Sequence, residues 1–168
     1  MNKVLLIREI KMKLIRFVYS ALIGVVASCR SMTPMAALAA ARLARRDTPG
    51  SLMLLDRPLF KYGALAMGAG ELYGDKMKSA PDRTVFLGLS ARVASAGIAG
   101  AALAPRGEEK TGAAIAISAA VPLAYATLAA RKKAIAEIGQ TRSGLIEDTL
   151  IVAIGAAVVY FATRPKRY

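Results

Sequence analysis

Histidine and tryptophan are absent from this 168-residue chain, and cysteine occurs once, at Cys29. Without His the chain lacks the residue that most often serves as general base and metal ligand near neutral pH. One cysteine excludes an internal disulfide, and with no His beside it the usual zinc and haem ligand sets are missing too. No nucleophile is paired with a base, so no catalytic residue, cofactor or metal is expected. A lipid-headgroup enzyme built on Glu71 with Asp75 is the remote exception. Acidic residues are scarce as well: 11 Asp and Glu face 24 Lys and Arg, for a net charge of +13. Such a balance suits nucleic acid or anionic lipid. The signatures of nucleic-acid modules (a recognition helix, a zinc finger, a basic sheet with aromatics) are not found, which turns the expectation toward lipid.

What is present is apolar and small. Hydrophobic residues make up 55% of the chain while aromatics make up 6%. Ala and Gly are abundant where a water-soluble core of this size would use more Leu, Ile and Phe. Membrane helices place small residues at their contacts, because lipid supplies no hydrophobic drive and close backbone approach must supply the attraction. Little period-2 alternation occurs, so strands are not expected. The class predicted is all-α: a polytopic transmembrane bundle of about five to six helices in one domain over 1–168. Residues 1–12 form a basic N-terminal segment and 164–168 a basic tail.

The first long segment runs from about Lys13 to Arg46. As one helix it would be about 50 Å long, against a hydrocarbon core of about 30 Å. Pro34 lacks a backbone donor and disfavours helix at the residue before it. The helix is therefore expected to break near Arg30–Pro34, into 13–29 and 34–46, with Ser31 or Thr33 capping the second piece. Four more helices follow: from Asp56-Arg57-Pro58 to about Met77, Thr84 to Ala104, Thr111 to Lys133 with a kink at Pro122, and Ser143 to Thr163. The basic flank and short apolar run before Cys29 also fit a lipoprotein signal. That reading is disfavoured, because more apolar helix follows where a polar mature chain would begin. If the two pieces of the broken helix return the chain to its starting side, Lys and Arg concentrate on that side. The positive-inside rule then puts both termini in the cytoplasm of a cell whose inner membrane holds the protein.

Three places set ionisable residues against apolar helix. A charge at the bilayer centre costs at least roughly 2.5–3.5 kcal/mol, so each needs a reason. Arg30 lies at the break, where Ser31 and Thr33 begin a helix N-terminus that favours anions. Either an anionic solute or one of the protein's own carboxylates suits that spot. Glu71 and Asp75 share a helix face, followed by Lys76, Asp82 and Arg83. Gly63, Ala66, Gly70 and Gly74 run close to the same stripe and invite a neighbouring helix. Arg92 sits inside an apolar helix and calls for a carboxylate, with Glu71 or Asp148 the expected one. Glu147 and Asp148 otherwise read as acids complementing the first turns of the last helix.

Several of these runs resemble an uncharacterised family of small bacterial integral membrane proteins. They are Gly24 to Pro34, Glu71 through Asp75-Lys76 to Pro81-Asp82-Arg83-Thr84, Arg92, and Glu147-Asp148. The resemblance covers roughly residues 20–160 and is most specific at 71–84. It implies membrane placement and a bacterial source, and no activity. Cys29 departs from it, where a smaller residue would be expected. Two functions follow as expectations. One is a transporter or permease for a small ion or anionic solute, its site at the broken helix and, at this chain length, working as a homodimer. The other is a structural or assembly protein whose intramembrane charges are interhelical ion pairs and whose basic loops hold anionic lipid headgroups.

Overall fold

Long runs of Leu, Ile, Val and Ala without proline favour continuous helix, and in the computed structural model the first helix, α1, is longer than expected. The structure describes residues 3–74 and 86–164. Helix α1 spans Lys3–Cys29, so most of the basic N-terminal segment is its first turns. The break falls where Pro34 predicts it. The Arg30 amide still reaches the Val26 carbonyl at 3.0 Å, the chain bends at Ser31 and Met32, and α2 occupies Thr33–Leu43. Helix α2 ends three residues before the expected Arg46. Arg45 adopts φ 56°, the Arg45 amide donates to Arg42 and the Arg46 amide to Ala41 at 2.9 Å. This is the Schellman closure, with arginine where glycine is usual.

A 3-10 turn over Met53–Asp56 leads into α3, Pro58–Gly74. Asp56 lies in that turn and faces Arg42 at 3.4 Å. Then come α4 (Phe86–Leu103), α5 (Glu109–Ile138, running through Pro122) and α6 (Gln140–Ala162). Gly139 joins the last two at φ 82°, a conformation that suits glycine. The described residues are thus six helices and no strands. Four of them, α1, α4, α5 and α6, are long and apolar enough to cross a membrane.

Contacts along α1 fix the direction of its neighbours. The Ser20 hydroxyl donates to Gly100 at 2.9 Å, and Arg92 Nε to the Ser28 carbonyl at 3.2 Å, so α4 is antiparallel to α1. Gly24 lies on Ala116, and the Thr127 hydroxyl reaches the Ser28 carbonyl at 3.4 Å, so α5 runs parallel to α1. Gly155 of α6 meets Val26 while Asp148 meets Arg30, which is antiparallel again. Helix α2 packs mainly on α3 and α6, and its following loop brings the Gly50 amide to Ala102 at 2.9 Å, back at the level of Ser20. Helices α1 and α2 therefore return the chain to the end where it started.

The core is narrow because its residues are small. Ala27, Ala96, Ala99, Ala116 and Ala120 are fully buried beside Ile23 and Val26. A Cβ on Gly24 would collide with the Ala116 backbone, and one on Gly112 would come within 2.6 Å of the Gly100 carbonyl oxygen. The glycine stripe expected on α3 is not the one that packs. A Cβ on Gly63 or Gly70 meets nothing within 4 Å, whereas one on Gly68 would come within 2.9 Å of Ala36. The reason is register: Ala64, Gly68 and Glu71 fall on one helical face, and Glu71 is drawn to α2. Gly24→Ala is expected to lower stability by about 1–3 kcal/mol through backbone overpacking. Gly63→Ala, facing open space, is expected to be neutral or mildly stabilising, by up to about 1 kcal/mol. Thermal unfolding of the two variants in one neutral detergent measures the difference.

Candidate functional site: a buried charge cluster at the helix break

The break between α1 and α2 leaves backbone donors and one guanidinium inside the bundle. Arg30 is 1% exposed. Its Nη2 group is hydrogen-bonded and ion-paired to Asp148 Oδ1 of α6, and its Nη1 group donates to the Glu71 carbonyl of α3 at 3.2 Å. One side chain thus ties the bend to two distant helices.

The Glu71 carboxylate does a different job. Oε1 accepts from the Ser31 amide at 2.8 Å and the Ser31 hydroxyl at 2.6 Å, and Oε2 accepts from the Met32 amide at 2.8 Å. These amides open α2, whose N-cap position is Met32 and which has no side-chain cap of its own. The expectation that Ser31 or Thr33 caps α2 is corrected. Ser31 lies one position too early and orients its hydroxyl onto Glu71. Thr33 is already helical, is buried, and has its methyl against Gly155. A carboxylate from another helix supplies both the hydrogen bonds and the negative charge that a helix N-terminus favours. The anion-attracting spot anticipated at Arg30 is occupied by the protein's own Glu71.

Arg92 is 4% exposed and donates to two carbonyls, from Nε to Ser28 at 3.2 Å and from Nη1 to Gly88 at 2.8 Å. Glu71 and Asp148 were its expected carboxylates; one caps α2 and the other holds Arg30. Among the described residues Arg92 satisfies the Ser28 carbonyl, left by the helix end, which the Thr127 hydroxyl also approaches at 3.4 Å. It belongs to the same cluster through backbone.

Glu147 and Asp148 are not first-turn acids, because α6 begins at Gln140 and carries them about two turns in. Adjacent on the helix, they point about 100° apart. Asp148 faces Arg30, while Glu147 accepts from Arg131 Nη1 of α5 at 3.0 Å. The sequence does not single out Arg131, because it opens the basic run Arg131-Lys132-Lys133 at the end of the expected helix. Helix α5 continues five residues beyond Lys133, and Arg131 on it faces Glu147 of α6. Asp75, Lys76, Asp82 and Arg83 lie outside the described residues.

Arg30, Ser31, Glu71, Arg92 and Asp148 therefore converge, with Ser28 and Met32 contributing backbone. They form contacts with one another in a buried setting. A cavity of about 300 Å³ lies beside Cys29, Arg131 and Glu147. Another of about 300 Å³ is lined almost wholly by apolar side chains of α2, α3 and α6, and one of about 570 Å³ lies near Arg16 and Arg164. The walls of these cavities are formed by residues other than Arg30, Glu71, Arg92 and Asp148. No family model, curated protein or solved structure matches this chain.

Asp148→Asn leaves the buried Arg30 guanidinium without its carboxylate and is expected to cost about 3–5 kcal/mol. Replacing both, Arg30→Met with Asp148→Leu, is expected to cost less than either single change. A double-mutant cycle on thermal unfolding measures the coupling, and additive losses would contradict the pairing.

Proposed function

We propose that this chain is a structural or assembly protein of a membrane, its buried charges serving as interhelical ties. The observation that carries this is the mutual satisfaction of Arg30, Asp148 and Glu71. The carboxylate best placed to bind a cation is committed to the α2 terminus. The guanidinium best placed to bind an anion is committed to α6. A permease site at the broken helix would need at least one of these charges available to a solute. The exposed apolar residues on α6, among them Leu145, Leu150 and Ile154, support placement in lipid. The resemblance noted in the sequence supports a bacterial membrane.

The test is flux. Proteoliposomes containing the purified chain are expected to hold proton, potassium and chloride gradients as long as protein-free vesicles do. Protein-dependent flux that disappears in the Arg30→Met, Asp148→Leu pair would replace the structural reading with the permease reading.

The orientation proposed places both termini on the cytoplasmic side. The pairing of α1 with α2 supports it by returning the chain to its starting end. So does the gathering there of Arg16, Arg42, Arg45, Arg46 and Arg164. Epitope tags at either end are expected to resist protease added to intact spheroplasts and to be cut after lysis. Cleavage of either tag in intact spheroplasts would reverse or break this topology.

A further inference from the structure

Arginine side chains meet at the end of the bundle opposite the buried cluster, and among the described residues Arg16, Arg46 and Arg164 have no carboxylate paired with them. A cavity of about 570 Å³ opens there between the middle of α1, the loop after α2 and the end of α6. Arg16 and Arg164 line it, with Met12, Ile15, Tyr19 and Phe161 forming apolar walls. Arg46 stands beside it. Its guanidinium lies 4.2 Å from the centre of the Tyr160 ring, and that of Arg164 lies 4.9 Å from the same centre and 4.6 Å from that of Phe161. Cation–π stacking restrains both guanidinium planes, and both arginines also reach the Tyr160 hydroxyl.

The local charge is uncompensated. Among the described residues Arg16, Arg46 and Arg164 make no ion pair. Asp47 also lines the cavity, but Arg42 holds its Oδ1 at 2.9 Å and also faces Asp56 at 3.4 Å. Arg46 Nη1 is buried without a hydrogen-bond partner among the described residues. Two like charges on one ring, with a buried guanidinium nitrogen unsatisfied beside them, are the arrangement that an added anion would complete.

The walls say what kind of anion. An inorganic ion would have no use for Met12, Ile15 and Phe161, whereas a phosphate carrying acyl chains would use both parts. The exposed apolar side chains of α1, Ile10 at 58% and Leu14 at 63%, continue the apolar surface away from the cavity. The ends of membrane spans, where Tyr and basic residues collect, lie at headgroup level. We propose that this cavity binds an anionic phospholipid, its phosphate held by Arg16 and Arg164 with Arg46 in reserve, and its chains lying along α1 and Phe161. Planar guanidinium groups match phosphate oxygens in pairs. The site is independent of the structural reading: a permease with the same cavity would hold the same lipid.

Thermal unfolding of the full chain in a neutral detergent tests it, with phosphatidylglycerol, phosphatidylcholine or inorganic phosphate added. Phosphatidylglycerol is expected to raise the melting temperature, and phosphatidylcholine and phosphate are not. Arg16→Gln and Arg164→Gln, read separately, are each expected to raise the half-saturating phosphatidylglycerol concentration about five- to tenfold, from the ~1 kcal/mol or more carried by each basic contact. Arg142→Gln, exposed at the other end of α6, is expected to titrate as the unaltered chain does. Arg164→Lys keeps the charge and is expected to fall between, which covers the case in which Arg164→Gln unfolds. Unchanged titration in Arg16→Gln and Arg164→Lys overturns the site. An equal shift with phosphatidylcholine overturns the need for an anion, and an equal shift with inorganic phosphate overturns the lipid in favour of free phosphate.

Discussion

Burying one arginine at a helix break constrains most of what surrounds it. A guanidinium removed from water needs a carboxylate and further acceptors. Here they come from α6 and α3, so both helices must lie against the bend in a set register. Helix α2 has the complementary requirement. Its first amides have no partners of their own, and Glu71 satisfies them from α3. Within one small volume the backbone carbonyl of Glu71 accepts from the Arg30 guanidinium and its carboxylate accepts from the α2 amides. The residue thus joins Arg30 to the α2 terminus and settles which face of α3 turns inward.

The small-residue core follows from the same geometry. Ser20, Gly24 and Ser28 lie on one stripe of α1; the first two meet the backbone of α4 and α5, and Ser28 meets the Arg92 and Thr127 side chains. Helices this close leave no room for large side chains, which turn outward instead. Specificity therefore rests on where polar groups meet and on where glycine permits contact. Dispersion between closely packed backbones supplies the attraction that a hydrophobic core supplies in water.

The helices were legible in the sequence because apolar runs separated by proline, glycine and charge have few other readings. The break was legible too, since Pro34 follows a polar run that no plain span would carry. Partner choice was not. Arg92 needed an acceptor, but composition cannot distinguish a carboxylate from the Ser28 carbonyl exposed by the end of α1. Glu147 and Asp148 differ by one position, and only the rotation of α6 sends one to Arg131 and the other to Arg30. The α3 stripe failed for a related reason: Gly63 and Gly70 describe a plausible face, but Glu71, together with Ala64 and Gly68, selects a neighbouring one. Interhelical contacts depend on phase, and phase is decided by the whole assembly.

The span of chain between Arg30 and Asp148 bears on how the protein is made. Arg30 leaves the ribosome early, its carboxylate only after α6 has begun, and Glu71 partway between. Until α6 arrives the Arg30 guanidinium lacks the Asp148 carboxylate, which is unfavourable in lipid. The α1–α2 pair must therefore wait at the bilayer surface, or within the insertion machinery, until its last helix is synthesised. Synthesis of α6 is then the event that commits the bend to the interior, and a chain interrupted before α6 leaves the bend without its Asp148 tie.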